Sequence, residues 1–204
     1  MLSFRTRRAA KGQRGQSTIE FALTAPIFFL VFFGIVNGGT LLFSRNALQH
    51  AADVGAIQIG TLGNSSATVD TTNAIPTMEA AGLNNVLLTN VTEILIQKED
   101  STSSSSSQSL TVDTSGCGQF GVGSGYPCEM EYTRTGGSWP TTPCVAGPTC
   151  NWPSNDRNTT QTSGLAGDPD FARLTIYYTF ALVGGVATFH MSASVIFRLE
   201  PQTL

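Results

Sequence analysis

From Phe21 to Ser44 the chain runs 24 residues without a charged side chain, FALTAPIFFLVFFGIVNGGTLLFS, and this run holds six of the twelve phenylalanines. About 20 such residues in a helix cross the hydrocarbon core of a bilayer. Arg5, Arg7, Arg8, Lys11 and Arg14 precede the run and only Arg45 follows closely. An excess of Lys and Arg marks the cytoplasmic side, so the expected topology is one span, N-terminus inside and everything after residue 45 outside. A cleaved secretory signal shares the basic start. Its apolar region is about 7–15 residues and closes on a small-x-small triplet, whereas this run is longer and no such triplet clearly closes it.

The rest of the composition agrees with an exported chain. Only 12% of the 204 residues are charged, about half the share in an average soluble domain. Past residue 15 there are six basic and fourteen acidic residues, which excludes a uniformly basic nucleic-acid binder. The length allows one modest domain and an appendage.

Within the apolar run, Pro26 and the Gly34, Gly38 pair stand out. Small residues four apart let two helix backbones approach closely in lipid, where burial alone drives no association. The helical pattern continues through SRNALQHAADVGAIQIG. Leu48, Ala52, Gly55 and Ile59 recur at steps of three or four there, continuing from Leu41 seven residues before, with Arg45, Gln49 and Asp53 elsewhere. An unbroken helix to about Gly60 would be roughly 60 Å long, with a narrow stripe of small and apolar side chains on its outer half.

Glu20 lies directly before the apolar run, and a carboxylate at the start of a membrane helix is costly unless paired. Cleavage after Gly15 would create an α-amine on Gln16 within about a turn and a half of Glu20. The amine of an incoming subunit could then neutralise the Glu20 of one already docked, a rule for stacking helices in register. Glu20 can also simply favour the positive N-terminal end of the helix dipole.

Gly15 followed by Glu at the fifth position and a long apolar helix resembles the signal of type IV prepilins. The fuller string GQSTIEFALTAPIFFLVFFGIVNGGTLLFSRNALQHAADVGA resembles the TadE-like family, pseudopilins or minor pilins of the tight-adherence (Tad/Flp) pilus machinery. The resemblance rests on the Gly15–Gln16 junction, Glu20-Phe21-Ala22-Leu23, Pro26, Gly34, and Asn46-Ala47-Leu48-Gln49 with Ala51-Ala52. It implies processing after Gly15 by a prepilin peptidase and a pilin-like α+β fold. It also implies, as partners, other pilin or pseudopilin subunits met through the helix, an inner-membrane pilus assembly platform and the lipid bilayer.

Beyond Gly60, IPTMEAAGLNNVLLTN offers Met78, Leu83, Val86 and Leu87 as one face of a short second helix. EILIQ (93–97) and LTVD (110–113) read as strands, with a flexible serine-rich loop, STSSSSSQS (101–109), between them. RLTIYYTFAL and TFHMSASVIFRLE form a hairpin about Val183–Val186. The expected order is a helix and then a small antiparallel sheet.

Cys117, Cys128, Cys144 and Cys150 fall in a Gly- and Pro-rich region. Even numbers of cysteines in exported segments read as disulfides, and four permit three pairings, of which 117–128 with 144–150 needs the least long-range organisation. Spacings of C-x10-C and C-x5-C, far from either histidine, do not make a zinc knuckle. The bridges would staple a loop region, about 114–170, with few apolar residues of its own.

No catalytic constellation assembles. His50 and His190 are isolated, Gly123-Ser124-Gly125 lacks the nucleophile-elbow spacing, and the glycines at 116–125 lead into no phosphate-binding Lys-Ser/Thr. Asp168 and Asp170 read as a solvated turn, and Asn64, Asn90 and Asn158 begin sequons. The reading is therefore a basic leader (1–15), a membrane and assembly helix (16–60) and an extracytoplasmic α+β domain (61–204). Such a subunit is structural, uses no metal or cofactor, binds no nucleic acid and sits in the inner membrane or, once assembled, on the pilus. The alternatives are a permanently membrane-anchored extracytoplasmic adhesin or binding protein that does not polymerise, and a tethered hydrolase.

Overall fold

The computed structural model describes residues 16–62, 65–84, 86–104, 107–114, 126–142, 149–157, 171–185 and 187–199. Two compact units divide the chain, Met1–Gly39 and Thr40–Leu204. Helix α1 (Gln16–Leu62) contributes to both.

In the first unit α1 is apolar on every side. Ile19, Phe21, Leu23, Ile27, Phe28, Phe29, Leu30, Val31, Phe32, Phe33 and Ile35 are all between 47% and 75% exposed. A helix that packs on a soluble core shows one apolar stripe; an all-round apolar helix belongs in a core or a membrane. This one is long and apolar enough to cross a bilayer, and none of its most apolar window is buried in the protein. Its polar side chains turn inward to the backbone: Thr24 donates to the Glu20 carbonyl at 2.9 Å and Asn37 to the Phe33 carbonyl at 2.9 Å. Such bonds satisfy groups that hydrocarbon cannot.

In the second unit the pattern changes to a stripe. Leu48, Ala51, Ala52, Ala56 and Ile59 are buried, and Arg45 and Asp53 are exposed. The stripe packs on one face of a five-stranded antiparallel sheet of order β2-β1-β4-β5, where β1 is Thr89–Ser104, β2 Ser107–Val112, β4 Phe171–Ala181 and β5 Thr188–Arg198. The fifth strand, β3 (Glu129–Thr133), shares the β2 side of β1. It pairs Glu93–Gln97, and β2 pairs Glu99–Ser104. At the junction the Lys98 amide donates to the Cys128 carbonyl at 2.8 Å and the Asp113 amide to the Lys98 carbonyl at 3.0 Å.

Period-two alternation aims Ala172, Leu174, Ile176, Tyr178 and Phe180 of β4, Ile94 and Ile96 of β1, and Met130 and Tyr132 of β3 into the core. At Gly55 helix and core come close. A Cβ there would lie 2.5 Å from Met78 Sδ and 3.1 Å from Leu174 Cδ2. The long helix and the β4–β5 hairpin, turned by Gly184 and Gly185 at positive φ, match the sequence expectation of an α+β chain with an antiparallel sheet.

Three expectations need correction. The second helix, α2, spans only Ile75–Ala80, entered through a π-helical turn at Asp70–Ala74. Gly82, at φ +108°, lies just beyond it; Met78, Leu83 and Val86 are buried, but Leu87 is 62% exposed. The serine run is not a loop: Ser101–Ser104 pair with Ser107–Leu110 across a hairpin, because ladder bonds come from the backbone and tolerate serine. The region 114–170 is not held by bridges alone. It contains β3, the paired residue Cys150 and a 3-10 turn at Ser154–Asp156, and it buries Met130, Tyr132, Trp139 and Trp152. A few large side chains, three of them aromatic, bury enough apolar surface to hold a stretch with few apolar residues. Of the four cysteines, Cys128 and Cys150 are buried and disulfide-bonded, while Cys117 and Cys144, like the glycines at 116–125, Asp168 and Asp170, lie outside the described residues.

Candidate functional site

The membrane-class helix carries the residues singled out for assembly. Gly15 lies outside the described residues, and Gln16 is the first residue of α1. Glu20 is exposed, one turn into the helix. Pro26 sits inside it, with no N–H to give the carbonyl four residues back. Cβ atoms added at Gly34 and Gly38 would meet nothing within 4 Å, so these positions leave the helix surface open.

One helix face is recessed. Phe21, Thr24, Ala25, Phe28 and Phe29 surround a recess of about 430 Å³. Their spacing, i, i+3, i+4, i+7 and i+8, is that of a hole on a helix surface into which another helix inserts a side chain. Aromatic rings form the walls, and Phe28 stacks on Phe32 and Phe29 on Phe33 at centroid distances of 6.2 and 6.3 Å. The small Thr24 and Ala25 form the floor.

The second unit holds a buried polar cluster that sequence reasoning missed. Arg157 grips Asp70 with both terminal nitrogens, Nη1 to Oδ1 and Nη2 to Oδ2, each at 2.6 Å. Tyr132 donates to Asp70 Oδ2 at 2.8 Å, and the guanidinium lies 5.1 Å from the Trp152 ring centroid. The two charged side chains are 0% and 1% exposed. Burial, and then the neighbouring Asp70 carboxylate, push the Tyr132 hydroxyl far above its ordinary value, so it stays a donor. Ser154 adds a bond to the Ser66 carbonyl at 2.5 Å. Together these contacts join the turn before α2, strand β3 and the 150–157 segment. The only sequence signal was that Arg157 is the single base between Arg134 and Arg173 and follows a tryptophan.

The opposite face of β3 is acidic. Glu131 and Glu129 stand opposite Leu95 and Gln97, one pair on from Glu93. Burial, then Glu131 and Glu129, raises the Glu93 carboxyl; burial raises Glu129 too, against the Gln97 amide that donates to it at 2.8 Å. Among the described residues no three of His, Cys, Asp and Glu gather as a metal-ligand set. His50 and His190 are both exposed, on α1 and β5.

Residues 15–56 match the family model described as TadE-like protein. No curated protein and no solved structure gives a significant match. The similarity thus covers the part of α1 that carries Glu20, the aromatic recess, the open glycines and the start of the buried stripe, and the sheet domain lies outside the matched segment.

Proposed function

We propose that this chain, TadE-like over residues 15–56, is a non-enzymatic minor pilin-like subunit associated with a Tad-type pilus. The observation that carries this reading is the change of character along α1, from apolar on all sides to a narrow stripe fastened to a sheet. A helix of that kind anchors the subunit in a membrane and offers the Phe21–Phe29 recess and the Gly34, Gly38 face to like helices. In this reading the N-terminus is cytoplasmic, a prepilin peptidase cuts after Gly15, and the amine of Gln16 in an incoming subunit neutralises Glu20 of one already docked on the assembly platform. The sheet domain is presented outside as a tip, initiator or adhesive surface. Sequential disulfides, Cys117 with Cys128 and Cys144 with Cys150, belong to the same reading of an exported domain.

The decisive experiment measures the N-terminal mass of the protein from membranes and from sheared surface material, with and without the prepilin peptidase. A start at Gln16 that depends on the peptidase supports the reading. An intact leader found only in membranes favours a permanently anchored surface protein instead. Glu20→Ala is expected to keep membrane insertion and to lose incorporation into pili; normal piliation in that variant refutes the pairing of Glu20 with an incoming amine.

A further inference from the structure

One end of the second unit carries no charge and turns apolar side chains outward, and we propose that this end is seated in the lipid interface of the bilayer that α1 crosses. The proposal rests on the anchored reading given above, and its geometry lies within Thr40–Leu204 alone. In that unit Gln49 donates to the Ser194 carbonyl at 3.2 Å, and a Cβ on Gly60 would lie 3.3 Å from the Arg198 carbonyl, so α1 and β5 run in the same sense. Back from Gln49, the uncharged run ends at Ser44, about 8 Å away at 1.5 Å per residue. Back from Ser194, β5 continues to Thr188, about 20 Å away at 3.3 Å per residue. The turn between β4 and β5 therefore reaches past the level of Ser44.

A second turn meets the same level directly. Ser44 Oγ donates to the Leu87 carbonyl at 3.1 Å, and the Ala181 amide donates to the Leu88 carbonyl at 2.8 Å. The occupant of this end follows from continuity. The residue that closes the apolar run is the one that holds Leu87, so when Phe21–Ser44 spans a bilayer, Leu87 lies at its boundary.

The chemistry of the end agrees with lipid. No charged residue occurs from Ala80 to Thr92 or from Leu174 to Phe189, whereas the ion pairs Lys98–Asp113 and Arg173–Glu99 stand at the other end of the strands. Leu42, Phe43, Leu87 and Phe189 are 62%, 64%, 62% and 49% exposed. Leu88 holds φ at +61°, a conformation that a leucine adopts only under strain. Two leucines on a strained, outward turn lose stability in water, and an apolar surrounding returns what their exposure costs. Arg45, exposed one residue past the run, has the long stem that lets a cation reach lipid phosphates from such a boundary.

The test uses the full chain in phosphatidylcholine vesicles at high lipid excess, with some lipids carrying a diazirine on the acyl chain. After photolysis the labelled residues are mapped by mass. Label is expected at Leu87, Leu88, Val183 and Phe189 as well as in Phe21–Ser44, at least about tenfold above Glu99–Val112, because groups about 5–10 Å into the boundary meet a reagent that stays out of water. Leu87→Glu combined with Phe189→Glu should remove the label from both turns and keep that in α1. Both side chains are exposed, so protease resistance should match the parent's; Leu87→Glu alone, outside the sheet ladder, should give the same loss at its own turn. Label confined to α1, as when another subunit or water covers the turns, overturns the proposal and leaves the anchoring intact. Label in the turns that survives these substitutions, or equal label in Glu99–Val112, overturns it too. A chain without label in α1 refutes the anchored reading and the proposal together.

Discussion

Truncation of Arg157 to alanine is the sharpest test of what holds the second unit together. The substitution removes a guanidinium that is 0% exposed and strands Asp70, itself 1% exposed, with the Tyr132 hydroxyl at 2.8 Å as its remaining side-chain donor. Removing one partner of a buried ion pair costs about 3–5 kcal/mol, because the other charge is left without compensation. Loss of the cation over Trp152 removes a further contact, about 1–2 kcal/mol when desolvated. The two overlap, so the expected total is about 4–5 kcal/mol. At a guanidinium dependence of about 4 kcal/mol per molar, the unfolding midpoint falls by about 1 M. The assay is denaturation of the full chain in mild detergent, followed by tryptophan fluorescence, since Trp152 lies directly against the substituted side chain. Asp70→Asn combined with Arg157→Met should cost less than Arg157→Ala, because it leaves no uncompensated charge. A loss below about 1 kcal/mol for Arg157→Ala would refute the buried pair as a structural latch.

Two further outcomes are expected. Gly55→Val drives a branched side chain into Met78, which is 0% exposed and cannot swing into solvent; overpacking should cost about 1–3 kcal/mol, and a thermal midpoint at or above the parent's refutes the close approach. Glu129→Gln addresses pH. Because burial raises the Glu129 carboxyl in the folded state, the fold binds that proton more tightly than the unfolded chain, and ionisation destabilises it as pH rises through the folded value. The variant should therefore be the more stable near pH 7, with the advantage vanishing below about 4.3, the ordinary glutamate value. Urea midpoints at both pH values check it, and an advantage that persists at low pH refutes the assignment.

What the sequence disclosed follows from how local each signal is. α1 was legible because an uncharged run and then a 3.6-residue stripe are both written in neighbouring residues, and β4 and β5 because two β-rich runs flank a pair of glycines. β3 was not. EMEYT is five residues long, two of them acidic, and it lies in Gly- and Pro-rich surroundings; only its pairing with β1 more than thirty residues earlier reveals it. The Arg157–Asp70 pair is farther still from any local pattern, 87 residues apart in the chain. Gly34 and Gly38 stood out for the opposite reason, since small residues interrupt a run of large apolar ones, and Glu20 because it is a charge set directly before that run.

Helix α1 shows how one element can be written for two solvents. Up to Gly39 its apolar side chains are large and exposed on all sides, and its polar groups bond back to the helix, as Thr24 and Asn37 do. Lipid rewards that arrangement because it offers neither hydrogen bonds nor a preferred face. From Ser44 onward the buried positions are mostly small, with Ala51, Ala52 and Ala56 at or below 3% exposure, and the large apolar contributions come from the sheet: Ile94, Ile96, Leu174 and Ile176. Small helix residues let the backbone lie close to the sheet, and the Gly55 approach to Met78 and Leu174 is the extreme case. The exception on the water side is Ile57, large, apolar and 63% exposed, and it lies on a groove beside β5.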